Sequence, residues 1–420
     1  MALVIRWLVL LAVLAQQASA ATDCANGGKV MLTKGAKSNE ALVYGAACNS
    51  TTLTVDAKSK LTASGLKIEV LKSIPDVVEL NLALNSLAAV PAFPEADALT
   101  KLTLTSNVFT SFKDINVPSN LKTLAFDPLY SDLSWNEIES FAGMNLPASL
   151  TDLYVGGNKF ANLNGDFPST LKLLYVHDLP LKNSLADAKL ADSIAYLSLV
   201  NSGLTTLDSS KLPKSLASLD VSKNSLTALP TTFPDTLSTL IGSGNKIVEL
   251  TNISFPRGMS TLNLSGNAIT KVYGVTFPWS LTTLDLGSAS ITQLELSRSD
   301  YTTFQRLKAF SASIKTLSSC ANGAESMSLG TSSSVCVLSD DAFYKLYHRS
   351  TSTSSSGSLS PSASVNSVAS SNGKSSSLSI VLIVVICIAA VLGIALAVVG
   401  VRSQGRKAGD FYRPGPLLRQ

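Results

Sequence analysis

The chain has 420 residues, of which 45% are hydrophobic and 15% are charged, and its formal net charge is +4. Arg6 carries one positive charge and residues 402–420 hold five basic side chains against Asp410, so the rest of the chain has a net charge of −1. A segment this close to neutral is not expected to bind nucleic acid or anionic lipid through its charge.

Residues 1–20 predict a secretory signal peptide. Arg6 precedes the apolar run 7–15, and Ala18-Ser19-Ala20 supplies the small residues of a cleavage site. The apolar run is too short to cross a bilayer, which disfavours a first membrane anchor. The mature chain is therefore expected to begin at Ala21.

Residues 216–230 contain the pattern that organises the chain, LxxLxLxxNxLxxLP. Leu219 and Val221 alternate there with Ser218 and Asp220, as in a strand that buries one face. The pattern occurs in eleven copies, and its second leucine recurs every 21 to 23 residues apart from one step of 29. These leucines are Leu80, Leu102, Leu124, Leu153, Leu174, Leu197, Leu219, Leu240, Leu262, Leu284 and Leu307.

This period and pattern resemble the leucine-rich repeat family. The resemblance implies an α/β repeat fold, a curved solenoid with a parallel β-sheet on its concave face and a continuous leucine core. We expect an N-terminal cap over residues 21–76, repeats over 77–318 and a C-terminal cap over 319–348. Asparagine, whose amide satisfies buried backbone groups of the turn, follows the strand in six copies, at Asn85, Asn107, Asn158, Asn224, Asn245 and Asn267. The other copies have Leu129, Leu179, Ser202, Ala289 and Ala312 there.

Proline stands three residues before the first hydrophobic residue of seven copies. Because proline fixes φ and donates no hydrogen bond, it predicts an extended convex side that lacks long helices. Where Phe or Leu precedes the proline, its side chain is expected to close the core from that side. The prolines are Pro118, Pro147, Pro168, Pro213, Pro234, Pro256 and Pro278.

Four cysteines flank the repeats, and four cysteines allow three pairings. Eleven units at about 4.8 Å per strand place the two ends roughly 50 Å apart, which is beyond disulfide reach. This geometry predicts Cys24–Cys48 and Cys320–Cys336 bridges in the two caps. No CxxC spacing supports a metal site, and no cofactor is expected.

Three N-glycosylation sequons begin at Asn49, Asn252 and Asn263. Asn49 lies beside a cap and Asn252 in a convex segment, whereas a glycan on Asn263 would cover part of the concave face.

The single long step lies between Leu124 and Leu153. Ser134-Trp135-Asn136-Glu137 has capping-box spacing before Ile138 and Phe141, which predicts a short helix bulging from the solenoid. A harmless insertion is the alternative interpretation.

The repeats are followed by three segments of different composition. Residues 349–379 are mostly serine and predict a disordered stalk. Residues 380–401 lack charges and are long enough for a transmembrane helix. Basic residues begin the tail 402–420, so the repeats are predicted to be extracellular, as in a single-pass type I protein of the plasma membrane.

The concave face is expected to carry mostly small residues, with one exception in three neighbouring copies. Tyr154, Tyr175, His177, Asp178 and Tyr196 lie there. Tyr154 and Tyr175 hold the same place in adjacent repeats, so their rings are expected about 5 Å apart. These five residues form the candidate ligand site, although tyrosine is also simply a good strand residue.

No catalytic signature is present, and the tail is too short for a catalytic domain. The layout resembles kinase-less receptor-like proteins and the ectodomains of oomycete tyrosine-kinase-like receptor kinases. The resemblance implies a non-enzymatic receptor-like protein for an extracellular protein, peptide or glycan, with signalling through a co-receptor or through a homodimer formed by the transmembrane helix. A structural or adhesive glycoprotein of the cell surface is the alternative.

Overall fold

The computed structural model describes residues 29–92, 96–125, 136–181, 184–315, 320–330 and 333–347. The predicted signal peptide, Cys24, the serine-rich stalk, the transmembrane segment 380–401 and the tail lie outside these residues. Within the described part, no helix has both the length and the apolar character to cross a membrane.

The N-terminal region forms a small sheet beside the first strand of the solenoid. Strands β1 (Met31–Lys34), β2 (Glu40–Tyr44), β3 (Ser50–Thr54) and β5 (Val70–Leu71) pair in the order β3-β2-β1-β5. Strand β4 (Lys60–Thr62) instead pairs in parallel with β6 (Glu79–Asn81). The stacked array therefore begins inside the segment that was predicted to be only a cap.

Twelve strands form the main sheet, and each pairs in parallel with its neighbour. The parallel solenoid expected from the leucine-rich pattern is confirmed. After β4 and β6, the strands are β7 (Lys101–Thr103), β8 (Thr123–Ala125), β9 (Asp152–Tyr154), β10 (Leu173–Tyr175), β11 (Tyr196–Ser198), β12 (Ser218–Asp220), β13 (Thr239–Ile241), β15 (Thr261–Asn263), β17 (Thr283–Ile291) and β19 (Ala309–Ile314).

The predicted register holds for ten leucines. From Leu80 to Leu284, the second leucine of each copy lies opposite the second leucine of the next copy, and all ten are at most 1% exposed. The eleventh copy is wrong, because Phe310 and not Leu307 lies opposite Leu284. A helix, α1 (Arg298–Gln305), takes up the intervening residues, since the Ser297 side chain accepts a hydrogen bond from the Asp300 N–H and caps it.

Buried asparagines join consecutive repeats. Asn224 Oδ1 accepts hydrogen bonds from the Ser202 and Leu204 N–H groups at 2.9 and 3.1 Å. Its Nδ2 donates to the Leu199 and Val221 carbonyls at 2.8 and 2.9 Å. The six predicted asparagines are at most 8% exposed and donate in the same way to carbonyls of the turn. We call this series the asparagine ladder.

The long step contains a seventh member of the asparagine ladder. Asn136 accepts from the Phe109 N–H at 3.2 Å and donates to the Leu104 carbonyl at 3.0 Å. The described part of the predicted helix, from Asn136 onward, is not helical, so that prediction is wrong there. The Leu104 carbonyl accepts from both Asn107 and Asn136 at 3.0 Å, and Ile138 and Phe141 lie in the core at 0% and 3% exposure. These contacts hold the segment in the repeat pattern instead of a helix.

On the side opposite the main sheet, the described residues form no α-helix before Arg298, which agrees with the predicted lack of long helices. The carbonyl of each proline named above accepts from the N–H three residues later, at 3.0 to 3.2 Å, which turns the chain toward the next strand. Phe233, Phe255 and Phe277 pack behind these turns with neighbouring centroids 5.8 Å apart. Short 3₁₀ helices cover Phe112–Asp114, Ser184–Asp187 and Ser209–Lys211.

The C-terminal repeats add a second sheet and a closing segment. Its strands are β14 (Glu249–Thr251), β16 (Lys271–Tyr273), β18 (Gln293–Ser297), β20 (Glu325–Leu329) and β21 (Ser333–Leu338), in the order β14-β16-β18-β21-β20, and α2 (Asp340–Tyr347) follows. The predicted Cys320–Cys336 bridge is confirmed by an S–S distance of 2.05 Å. Cys48 is exposed and unpaired among the described residues. Its expected partner Cys24 lies outside them, so that bridge stays a prediction.

Candidate functional site

Three tyrosine rings form a continuous row on the main sheet. Leu153, Leu174 and Leu197 enter the core, so the side chains on either side of them point to the opposite face. We call this opposite side, predicted to be concave, the outward face. Tyr154 and Tyr175 lie in register with ring centroids 5.6 Å apart. The Tyr196 ring stacks on Tyr175 at 5.7 Å with an interplanar angle of 14°.

The three tyrosines do not all hold the same position within their strands. Tyr154 and Tyr175 are the third residues of β9 and β10, whereas Tyr196 is the first residue of β11 and lies opposite Leu173. Exposure falls along the row, because Tyr154 and Tyr175 are partly buried and Tyr196 is only 7% exposed. The sequence identified the three residues, but it did not indicate this offset or the burial of Tyr196.

His177 and Asp178 extend the row at the end of β10. The His177 ring lies edge-on to Tyr175 at 5.6 Å, and its Nδ1 is 2.7 Å from Asp178 Oδ2. Asp178 has a left-handed φ of 53°, and Asn201 Nδ2 donates to its Oδ1. These contacts fix the carboxylate beside the imidazole, so the structure brings all five predicted site residues together.

Two further residues of this surface were missed as site candidates. Ser198 and Asp220 are the third residues of β11 and β12 and lie opposite each other. They are 0% and 8% exposed, although both belong to the outward face. Burial raises the pKa of Asp220, while hydrogen bonds from the Ser222 N–H and Oγ, at 2.9 and 2.6 Å, oppose the shift. The alternating pattern places both residues outward but does not reveal their burial.

The charge on the outward face changes along the sheet. Lys60, Glu79 and Lys101 occupy the first strands, and Lys60 pairs with Glu79 at 2.6 Å. Three positions in each main-sheet strand unit point to the outward face, namely the first residue, the third residue and the residue two places after the third. From β9 to β17, none of these positions is lysine or arginine. These positions include three carboxylates, at Asp152, Asp220 and Asp285. The tyrosine row therefore lies in an acidic part of the face.

The three sequons lie in different surroundings. Asn49 and Asn252 are exposed, and Asn252 follows β14 with a left-handed φ of 52°. Asn263 is partly buried on the outward face, where its Oδ1 accepts from the Ser265 N–H at 3.0 Å and from Ser265 Oγ at 2.7 Å. A glycan would be attached to Nδ2 of Asn263, and both of these hydrogen bonds are to Oδ1. Glycosylation at all three sites stays a prediction.

Metal-binding chemistry has no candidate among the described residues, which contain no group of three or more His, Cys, Asp or Glu side chains arranged to hold an ion. What the site offers is aromatic surface, carboxylates and hydroxyl groups, a combination suited to binding.

No known protein family matches the chain, and no curated protein does. Among solved structures, YopM from Yersinia enterocolitica WA-314 is 29% identical over 51% of this chain, with a TM-score of 0.40. The match spans 43% of YopM, less than half its length. Human 5T4, also called Wnt-activated inhibitory factor 1, is 16% identical over 63% of this chain and 89% of its own, with a TM-score of 0.38.

An internalin (inlF) from Listeria monocytogenes is 18% identical over 64% of this chain and 86% of its own, with a TM-score of 0.35. At TM-scores of this size, none of the three determines what the chain binds. The fold itself rests on the parallel strands and the asparagine ladder.

Proposed function

We propose that this chain is a non-enzymatic cell-surface recognition protein that binds an extracellular partner on the outward face of its repeats. The tyrosine row carries the proposal. Stacked aromatic side chains on an otherwise small and polar surface are typical of residues that contribute most of the energy at an interface. The partner is a protein, peptide or glycan.

The membrane arrangement is part of the same proposal. The serine-rich stalk and the apolar segment 380–401, both known from sequence alone, would hold the repeats outside a plasma membrane as a single-pass type I protein. Any signal would then pass through a co-receptor or through dimerisation of the membrane segment.

A binding screen with the purified full-length protein tests the proposal. Secreted proteins and cell-wall polysaccharides serve as the two classes of candidate partner. Tyr154→Ala/Tyr175→Ala is expected to weaken binding of a partner by about 30-fold or more, equivalent to about 2 kcal/mol. Both side chains point away from the leucine core, so circular dichroism and the melting curve should still report a folded solenoid.

Thr103→Ala is the matched control, because Thr103 holds the same third strand position on β7, two strands before the tyrosine row. It is expected to change affinity less than twofold. A partner that binds the double variant as tightly as the parent protein would place the binding surface elsewhere and overturn the proposal.

A further inference from the structure

Asp220 is a buried carboxylate with no cationic partner among the described residues. It is 8% exposed, and its Oδ1 takes both hydrogen bonds from Ser222. No basic side chain in the described part forms an ion pair with it. The charge of exposed Lys223 acts on Asp220 more weakly than burial and the Ser222 hydrogen bonds do. A buried carboxylate is costly unless a positive charge or further donors reach it. The two hydrogen bonds from Ser222 leave Oδ2 without a donor among the described residues.

Ser198 provides a second unmet acceptor directly across the strand pair. Its side chain is 0% exposed, and its Oγ has no hydrogen-bond partner. The hydroxyls of Ser202 and Ser222 in the same region are paired. Leaving a buried hydroxyl unpaired usually costs stability, and such groups in native proteins call for an explanation. Because Ser198 lies opposite Asp220, the two oxygens share one patch of the outward face.

An aromatic ring lies beside these two acceptors. Tyr196 is two residues before Ser198 on β11 and lies opposite Ser218, two residues before Asp220. The face of a tyrosine ring is partially negative and attracts cations, whereas its edge is partially positive. A planar cation is therefore favoured beside the ring face. The outward positions from β9 to β17 contain no lysine or arginine, and among the described residues the positive charge that acts on Asp220 is that of exposed Lys223 beside it.

We propose that Asp220, Ser198 and Tyr196 form a subsite for a basic side chain, preferably arginine, of a protein or peptide ligand. The guanidinium group would donate to Asp220 Oδ2 and Ser198 Oγ and lie alongside the Tyr196 ring. Arginine fits better than lysine, because its planar group offers several donors in a fixed geometry and stacks on aromatic rings. The subsite deepens the proposed function and rests on it, since it selects a basic peptide or protein as the partner.

Hexa-arginine labelled with a fluorophore is the probe, titrated against the purified full-length protein at low and at physiological salt. Asp220→Asn keeps an Oδ1 acceptor for Ser222 and removes only the charge, so the fold should be retained. It is expected to weaken hexa-arginine binding at least tenfold. Asp285→Asn is the matched control, because Asp285 holds the same strand position, and its Oδ1 accepts from the Gly287 N–H. Its effect should stay below twofold.

Ser198→Ala is the second variant, and it breaks no existing hydrogen bond. We expect it to weaken hexa-arginine binding at least threefold while raising the melting temperature, since it removes an unpaired buried hydroxyl. A merely structural serine would not give this opposite pair of changes. Equal effects of Asp220→Asn and Asp285→Asn, unchanged binding by Ser198→Ala, or binding of hexa-glutamate as tight as that of hexa-arginine would each overturn the subsite.

The two proposals fail separately. If Tyr154→Ala/Tyr175→Ala abolishes binding of a partner from the screen while Asp220→Asn leaves that partner and hexa-arginine unaffected, the recognition surface stands and the basic subsite is wrong. If the tyrosine double variant binds the partner normally, the proposed function is wrong whatever hexa-arginine does.

Discussion

The middle of the solenoid and its C-terminal end are stabilised in different ways. In the middle, Asn224 and Asn245 make nearly the same hydrogen bonds one repeat apart. After Asn267, the next place in the asparagine ladder is Ala289, and the chain turns to interactions that occur once. These include the Cys320–Cys336 bridge and the Tyr347 hydroxyl, which donates to Glu295 at 2.6 Å.

The difference follows from what each region must cover. A middle repeat buries its leucines against two similar neighbours, so one solution is repeated. The last repeat has no further unit, and helix α1, the hairpin β20–β21 and helix α2 pack there instead. The middle therefore depends on many equivalent contacts, whereas the end depends on a few unique ones. Some of these involve buried groups that titrate.

The largest expected effect is in the middle, at Leu219. This side chain is 0% exposed between Leu197 and Leu240, so Leu219→Asp places an unpaired charge in the core. We expect a loss of at least about 4 kcal/mol in the free energy of unfolding, measured with denaturant. Thr261→Asp, on the outward face of β15, should cost less than about 1 kcal/mol. Equal losses would mean that the strand register is wrong.

The next effect concerns the C-terminal end. Cys320 and Cys336 are 16 residues apart, and closing a loop of this length contributes about 3 kcal/mol. Cys320→Ala/Cys336→Ala should lower the free energy of unfolding by about this amount, with the first loss of amide-exchange protection in β20 and β21. A reducing agent that further destabilises the double variant would support the predicted Cys24–Cys48 bridge. Unchanged stability of the double variant would contradict the role of the C-terminal bridge.

A pH-dependent effect is expected at the same end. Burial raises the pKa of Asp300 to about 6, against hydrogen bonds from Ser297 and from the Phe277 N–H. Since the ordinary pKa of an aspartate is 3.8, the folded state binds more protons than the unfolded state between about pH 4 and pH 6. Stability due to Asp300 is therefore present at the acidic end of this window and is lost as the pH rises through it, by about 2 to 3 kcal/mol.

Asp300→Asn tests this effect, because the amide can still accept from Phe277 and donate to Ser297. Denaturant unfolding at pH 4, 5, 6 and 7 should show that the variant gains stability relative to the parent protein as the pH rises from 4 to 6. Parallel curves for the two proteins would show that Asp300 ionises at an ordinary pH.

The smallest of these effects is expected in the asparagine ladder. Asn224→Ala removes the hydrogen-bond partner of the Leu199 carbonyl and of the Ser202 and Leu204 N–H groups, which should cost about 2 kcal/mol. Asn120→Ala is the control, because Asn120 is exposed and donates one hydrogen bond to the Asp97 carbonyl at 3.0 Å. Thermal unfolding compares the two. A loss at Asn224 no larger than that at Asn120 would mean that water satisfies the turn.

Much of the middle could be predicted because its physics is local and repeated. The spacing of the leucines fixes the register of the strands, and alternation then places Tyr154 and Tyr175 on one face. The Cys320–Cys336 pair followed from the length of the array. Each of these deductions needs only the sequence of one repeat and the number of repeats.

The errors arose where the interval between similar residues changed. Asn136 follows the last residue of its strand, Ala125, by 11 residues, whereas Asn224 follows Asp220 by 4. Asn136 and Ile138 nevertheless repeat the spacing of Asn224 and Leu226, a signal that would have identified Asn136 as a member of the asparagine ladder. Helix α1 displaced the eleventh strand, although Ser297 and Asp300 have the spacing of a helix cap. The burial of Asp220 had no signal, because it depends on side chains that are distant in the sequence.

Asn136 also shows that the asparagine ladder constrains contacts and not chain length. The unit that contains it has 29 residues against 22 and 21 in its neighbours, yet its amide reaches the same carbonyl as an ordinary copy would. We therefore expect the sequence between Ala125 and Asn136 to tolerate a change of length, because the hydrogen bonds of Asn136 do not depend on it. A protein engineer could use this segment to graft a foreign loop between two fixed anchor points.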